Sequence, residues 1–147
     1  KRQILGHGEI DGVTFQIIDT PGILDRPFSE MNEIEKKALA VIKSLKAPII
    51  FLIDPTSDSY YRLESQMKVL KDILTLREHR FIIPTINKVD KATEEEVKQA
   101  VSNIMNLGFS PHVIEKISAL KGMNVDNLVK KSLKLALELR SITSHSP

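Results

Sequence analysis

The sequence contains no cysteine, which excludes disulfides and thiolate metal sites and fits a reducing compartment. It also lacks an excess of charge. Lys plus Arg number 21 against 19 for Asp plus Glu, a net of +2, so the balance by itself points to solvated faces rather than to a polyanion-binding surface. No apolar run approaches the roughly twenty residues that span a bilayer, and no signal peptide is visible, so no membrane partner is expected. His7, His79, His112 and His145 are scattered without metal-ligand spacing, and surface or hydrogen-bonded core roles are expected of them. There is no initiator Met either; the chain opens at Lys1 and is expected to come from within something longer. What is present is ordinary for a soluble globular protein, with 41% hydrophobic and 27% charged residues over a length of 147, enough for one domain with a real core.

The order of elements follows from periodicity and punctuation. Two runs, Gln3 to Ile10 and Val13 to Ile18, flank Asp11-Gly12, a hairpin signal because both turn positions need positive φ. Asp19 to Pro27, punctuated by Pro21, Gly22 and Pro27, reads as an irregular loop. A helix is predicted from about Ser29 to Leu45, with Ile34, Ala38, Val41, Ile42 and Leu45 on its inward face. Ile49 to Ile53 is a continuous apolar run, suited to a parallel strand covered on both faces. Leu63, Met67, Leu70 and Leu74 mark a second amphipathic helix, and Phe81 to Ile86 a second such strand. Pro84 inside that strand removes a ladder donor, so a bulge or an early end to pairing is expected there.

Thr93-x-x-Glu96 is a capping box opening a helix through Leu107. His112 to Ile117 is predicted as a strand and about Asn124 to Arg140 as the last helix, with a flexible tail from Ser141 to Pro147. Helix and strand thus alternate after the hairpin, which points to an α/β fold, a mostly parallel sheet with helices on both faces. Ligands of such sheets bind at the carboxyl ends of the strands.

Three segments stand at those ends: Asp19-Thr20-Pro21-Gly22, Asn87-Lys88-Val89-Asp90 and Ser118-Ala119-Leu120-Lys121-Gly122. The second is the most informative. An Asp90 carboxylate can accept from guanine N1–H and the exocyclic amine, a pair of donors that adenine lacks, so a site built around it rejects the wrong base. Asn87 can tie neighbouring loops together and touch the base edge, and the stem of Lys88 can lie over the purine. Asp19 can hold a water of a magnesium ion, and the Gly22 N–H can meet a terminal phosphate. Ser118, Ala119 and Leu120 can offer backbone N–H groups to the guanine carbonyl oxygen. Asp54, ahead of Pro55-Thr56-Ser57, is expected to be a turn or cap residue. On the last helix Val125, Leu128, Val129, Ser132, Leu135, Ala136 and Leu139 form the inward face; Leu133 and Leu137 widen it and make a docking surface conceivable.

Together, in this order, the three segments resemble the nucleotide-binding motifs of Ras-like GTPases. Gly22-Ile23-Leu24-Asp25-Arg26-Pro27 followed by Asn32-Glu33-Ile34-Glu35 looks like the switch II region of the Nog family, ribosome-assembly GTPases of the Obg–HflX group. The resemblance implies a Ras-like P-loop NTPase fold, with residues 1–140 as a partial GTP-binding domain. It implies GTP/GDP and Mg2+ as cofactors, with Asp19 at the metal. It implies GTP hydrolysis by the complete protein, a large ribosomal subunit or rRNA partner, and a cytoplasmic or, in a eukaryote, nucleolar location.

Besides Pro84 in the strand before Asn87, the sequence departs from the pattern in two places. Ile23 stands where Ras-like proteins carry the water-orienting glutamine, so hydrolysis needs another group, a cation or a partner. No G-x-x-x-x-G-K-[ST] occurs. The first strand, P-loop, first helix and switch I threonine are therefore expected upstream of Lys1, and without that strand the sheet should come in two pieces. Alternatives are a nucleotide-free interaction module and another Obg-like or Era-like RNA-associated GTPase.

Overall fold

The structure, a computed structural model, describes residues 5–10, 13–18, 28–44 and 46–144. Two compact units divide after Leu45. In the first, β1 (Leu5–Ile10) and β2 (Val13–Ile18) form an antiparallel pair with Ile10 opposite Val13. That register leaves the two residues Asp11-Gly12 to connect them, although the turn itself lies outside the described residues. A 3-10 turn (Phe28–Glu30) then leads into α1 (Glu33–Ser44). Asn32 starts this helix by accepting the Glu35 N–H on its side-chain oxygen at 2.8 Å, which satisfies one of the donors a helix start leaves open. Ala38 and Ile42 are buried as expected, but Ile34 is 59% exposed and Glu35 is buried in its stead.

The second unit holds β3 (Ile49–Ile53), α2 (Leu63–Leu74), β4 (Ile82–Ile86), α3 (Glu94–Asn106), β5 (Glu115–Lys116) and α4 (Val125–Ser144). Its sheet is parallel, in the order β3-β4-β5. The described residues thus hold two separate sheets, the hairpin of the first unit and this three-stranded one.

Every residue of β4 is buried, as a central strand between two helix layers requires. Ile83 packs with Ile117 and with Leu128 of α4. The opposite face, with Phe51, Ile53, Ile82 and Ile86, is buried where α2 meets β3 and α3 meets β4. Ile50 and Leu52 lie opposite Ile83 and Thr85 in register and so share the α4 face. They remain 39% and 55% exposed, whereas Ile83 on the same face is buried with Leu128 of α4.

Pro84 causes no bulge: β3 pairs continuously from Ile49–Ile82 to Ile53–Ile86. The reason is the alternation of a parallel strand. Asn87 donates its N–H to Ile53 of β3, whereas Ile86 accepts from Ile117 on the β5 side. Pro84, in phase with Ile86, turns its missing donor toward β5, where pairing involves only Thr85 and Ile86. The interruption thus falls on one side only.

Four boundaries differ from expectation, the first being the start of α1, which lies at Glu33 rather than near Ser29. Phe81 belongs to a 3-10 turn (His79–Phe81) rather than to β4. The strand expected from His112 shrinks to two residues, because Pro111–Val113 forms a 3-10 turn with Pro at its start and Ser110 Oγ accepting the His112 N–H at 3.3 Å. α4 continues to Ser144, four residues past its expected end, so Ser141–Ser144 are helical rather than tail. Leu137 stands 64% exposed on it. No helix of the described residues is long and apolar enough to cross a membrane.

Candidate functional site

The carboxyl ends of β3, β4 and β5 converge, and backbone bonds extend their pairing into the loops. Asn87 N–H reaches the Ile53 carbonyl at 2.9 Å, Ile117 N–H reaches the Ile86 carbonyl at 2.8 Å, and Val89 N–H reaches the Ile117 carbonyl at 3.2 Å. Two of the three expected segments, Asn87–Asp90 and Ser118–Gly122, are thereby brought side by side. Asp19 and Gly22, with Ile23, lie outside the described residues.

Asn87 joins the two loops. Its side-chain oxygen accepts from the Lys88 N–H at 2.8 Å and from the Ala119 N–H at 3.0 Å. Lys88 has φ of 60°, an uncommon conformation for a side-chain-bearing residue, and its carbonyl accepts from Lys91 and Ala92 at 3.0 and 2.8 Å. The turn is closed by hydrogen bonds at both ends, and these offset the backbone strain.

Asp90 is exposed, and among the described residues its carboxylate makes no hydrogen bond or ion pair. Both oxygens are open to donors from outside the chain.

The second loop folds back on itself. Ser118 N–H donates to the Met123 carbonyl at 3.1 Å, and Met123 N–H returns to Ser118 at 3.0 Å. Gly122, with φ of 70°, supplies the left-handed position that this tight return needs. Ser118 is fully buried, and its Oγ accepts from the Lys121 N–H at 3.2 Å.

Of the three N–H groups expected to face a ligand, Ser118's is therefore used by Met123 and Ala119's by Asn87. Leu120 is 90% exposed, and its N–H has no partner among the described residues.

The structure adds a feature that sequence reasoning missed. Asp54 does form the expected turn, its Oδ1 accepting from the Thr56 N–H at 3.0 Å and the Thr56 hydroxyl at 2.6 Å. Its Oδ2, however, lies 2.7 Å from Lys88 Nζ. Burial alone would raise the Asp54 pKa, but the Lys88 and Thr56 donors outweigh it and hold the carboxyl below its ordinary value. The same contact raises Lys88. A visible signal was that Asp54 immediately follows β3, at the sheet end where Lys88 also stands.

The loop after Asp54 is tied to the start of α3. Ser57 N–H donates to Glu96 Oε2 at 2.7 Å, and Lys91 pairs with Asp58 at 3.2 Å. Glu96 also completes the capping box, with its Oε1 accepting from the Thr93 N–H at 2.8 Å and its own N–H donating to Thr93 Oγ1 at 3.1 Å. The backbone donors of Thr93 and Ser57 lower its pKa.

These groups suit recognition of a planar ligand that presents adjacent donors to Asp90 and an acceptor to the second loop. Guanine has that pattern. Among the described residues no cluster of acidic or histidine side chains could by itself hold a metal.

Comparison with known proteins agrees in direction. The family model of Nucleolar GTP-binding protein 1 (NOG1) matches residues 33–90. Nucleolar GTP-binding protein 1 of Eremothecium gossypii is 33% identical over 110 residues, covering 72% of this chain and 17% of the relative. The protein of the same description from Kluyveromyces lactis is 30% identical over 148 residues, covering 94% and 23%. The chain thus spans about a fifth of the length of these relatives. A crystal structure assigned as nucleolar GTP-binding protein 1 of Plasmodium falciparum superposes with a TM-score of 0.64 over 95% of this chain and 72% of its own, at 24% identity, which shows the shared fold.

Proposed function

Since the chain belongs to the nucleolar GTP-binding protein 1 family, we propose that it is the guanine-reading part of a Ras-like GTP-binding domain. The observation that carries this is the Asn87 side-chain oxygen, which holds the Lys88 and Ala119 N–H groups at once beside an Asp90 carboxylate that is open to a ligand. Asp90 accepts from guanine N1–H and the exocyclic amine. Asn87 fixes the two loops against the base edge, Lys88 covers the ring, and in the Ser118–Leu120 loop it is the open Leu120 N–H that donates to the carbonyl oxygen. Asp19 is assigned to a magnesium-bound water and Gly22 to the terminal phosphate, on the family pattern.

The complete protein is a molecular switch with slow or partner-stimulated GTP hydrolysis in large-subunit ribosome assembly, nucleolar in a eukaryote and cytoplasmic otherwise. The relatives' description as nucleolar GTP-binding proteins supports the nucleotide and the compartment.

The test is nucleotide titration of the complete protein. Asp90→Asn should weaken GTP and favour xanthosine triphosphate, whose carbonyl replaces the amine as hydrogen-bond partner; equal GTP affinity in both proteins would sink the assignment. Large-subunit particles should co-sediment more protein with a non-hydrolysable GTP analogue than with GDP. Absence of association in either state would remove the ribosomal part and leave the nucleotide site standing.

A further inference from the structure

We propose that Asp54 is a positioning residue for guanine-nucleotide binding, one that holds the Lys88 ammonium so that the lysine stem lies fixed across the carboxyl ends of β3 and β4. This rests on the proposal above that Asn87 to Asp90 read guanine. Asp54 would not touch the nucleotide; it would act through Lys88.

The geometry is that of a braced carboxylate rather than a chance surface pair. Gln66 of α2, itself buried, accepts the Asp54 N–H at 2.8 Å and donates to its carbonyl at 2.9 Å, so the backbone is pinned on both sides. Thr56 then takes Oδ1 with two donors, leaving Oδ2 aimed at Lys88 Nζ. The rest of the loop is anchored to the start of α3 by Glu96 and Lys91.

At its other end Lys88 is equally constrained, by Asn87 at its N–H and by Lys91 and Ala92 at its carbonyl. An exposed ion pair between two free side chains contributes little. Here the Asp54 side chain is only 22% exposed and needs no reorientation to make the contact. A lysine already fixed at both ends has lost the rotamer freedom that a loose one would lose on stacking against a ring, so the pair lowers the cost of binding.

The experiment is a double-mutant cycle in the complete protein, reading dissociation constants for a fluorescent GDP and for GTP. Asp54→Asn should weaken both nucleotides by about fivefold to tenfold. Made in a Lys88→Met background, the same substitution should change affinity less than about twofold, because the ammonium it acts through is gone. Thr56→Val, which removes the hydroxyl donor to Asp54 Oδ1 but keeps the backbone N–H and does not touch Lys88, should follow the same pattern with a smaller loss and serves if Asp54→Asn does not fold.

Equal losses in both backgrounds would show that Asp54 acts through loop structure and would overturn the proposal. Unchanged affinity in the Asp54→Asn protein would make the pair a bystander, with the same consequence. If the unmutated protein binds no guanine nucleotide, the guanine assignment itself falls, and this inference with it.

Discussion

Asn87 should act on the loops before it acts on any ligand. Asn87→Ala removes one acceptor that serves two backbone donors, Lys88 N–H at 2.8 Å and Ala119 N–H at 3.0 Å. A hydrogen bond of this kind contributes about 0.5–1.5 kcal/mol net, and water can partly replace both at this solvent-accessible site, so the combined loss should be about 1–2 kcal/mol. At about 1.4 kcal/mol per factor of ten, the local opening equilibrium shifts by roughly fivefold to thirtyfold.

Hydrogen–deuterium exchange of the nucleotide-free complete protein reads this directly, because local opening sets the protection of loop amides. Peptides spanning 117–121 and 87–92 should exchange faster by that factor, while those of α2 and β4 remain as in the parent. Asn87→Asp, which keeps an acceptor oxygen but loses the amide donor, should leave exchange within about threefold of the parent. If the loop around Ala119 exchanges no faster in Asn87→Ala, the bridging role is wrong, whatever happens to nucleotide affinity.

Ile23→Ala in the complete protein should change GTP hydrolysis by about tenfold or less, some 1.4 kcal/mol, since an isoleucine offers no group to orient water; single-turnover rates showing a loss of several orders of magnitude with binding intact would refute this. Glu96 has a folded pKa below its ordinary 4.5, so its contribution is present above that value and is lost as pH falls through the lower folded one. Melting midpoints should therefore decline more steeply into acid for the parent than for Glu96→Gln, and identical acid limbs would contradict the role. Lys88, raised by Asp54, contributes below its ordinary value and loses that contribution only as pH rises through the folded one, so the Asp54–Lys88 pair should not respond to pH near neutrality. Residues 1–147 expressed alone are expected not to form a stable GTP-binding monomer, given the uncovered Ile50 and Leu52 on β3 and the absence of a phosphate loop. A monomer with a sharp unfolding transition and micromolar GTP affinity would overturn that.

Periodicity and punctuation alone determined the α/β alternation, the hairpin register implied by Asp11-Gly12, the capping box at Thr93 and Glu96, and the Asn-Lys-Val-Asp segment as the base-reading candidate. These signals are local: 3.6-residue spacing, a turn that demands positive φ, a side chain that caps its own helix. Where the sequence was silent, the deciding interactions link distant positions. Nothing near Pro84 indicates which neighbouring strand its missing donor faces, and only the pairing of β4 with β3 and β5 makes the proline harmless. Ile34 and Glu35 exchange places because helix phase is set by what packs on the helix, not by its own pattern. Asp54 and Lys88 are 34 residues apart, and the N–H groups of Ser118 and Ala119 were consumed by partners the chain brings in from Met123 and Asn87. Residue types sufficed to identify the chemistry of the site, but which of its donors and acceptors stay open is set by contacts that exist only once parallel strands have aligned their carboxyl ends.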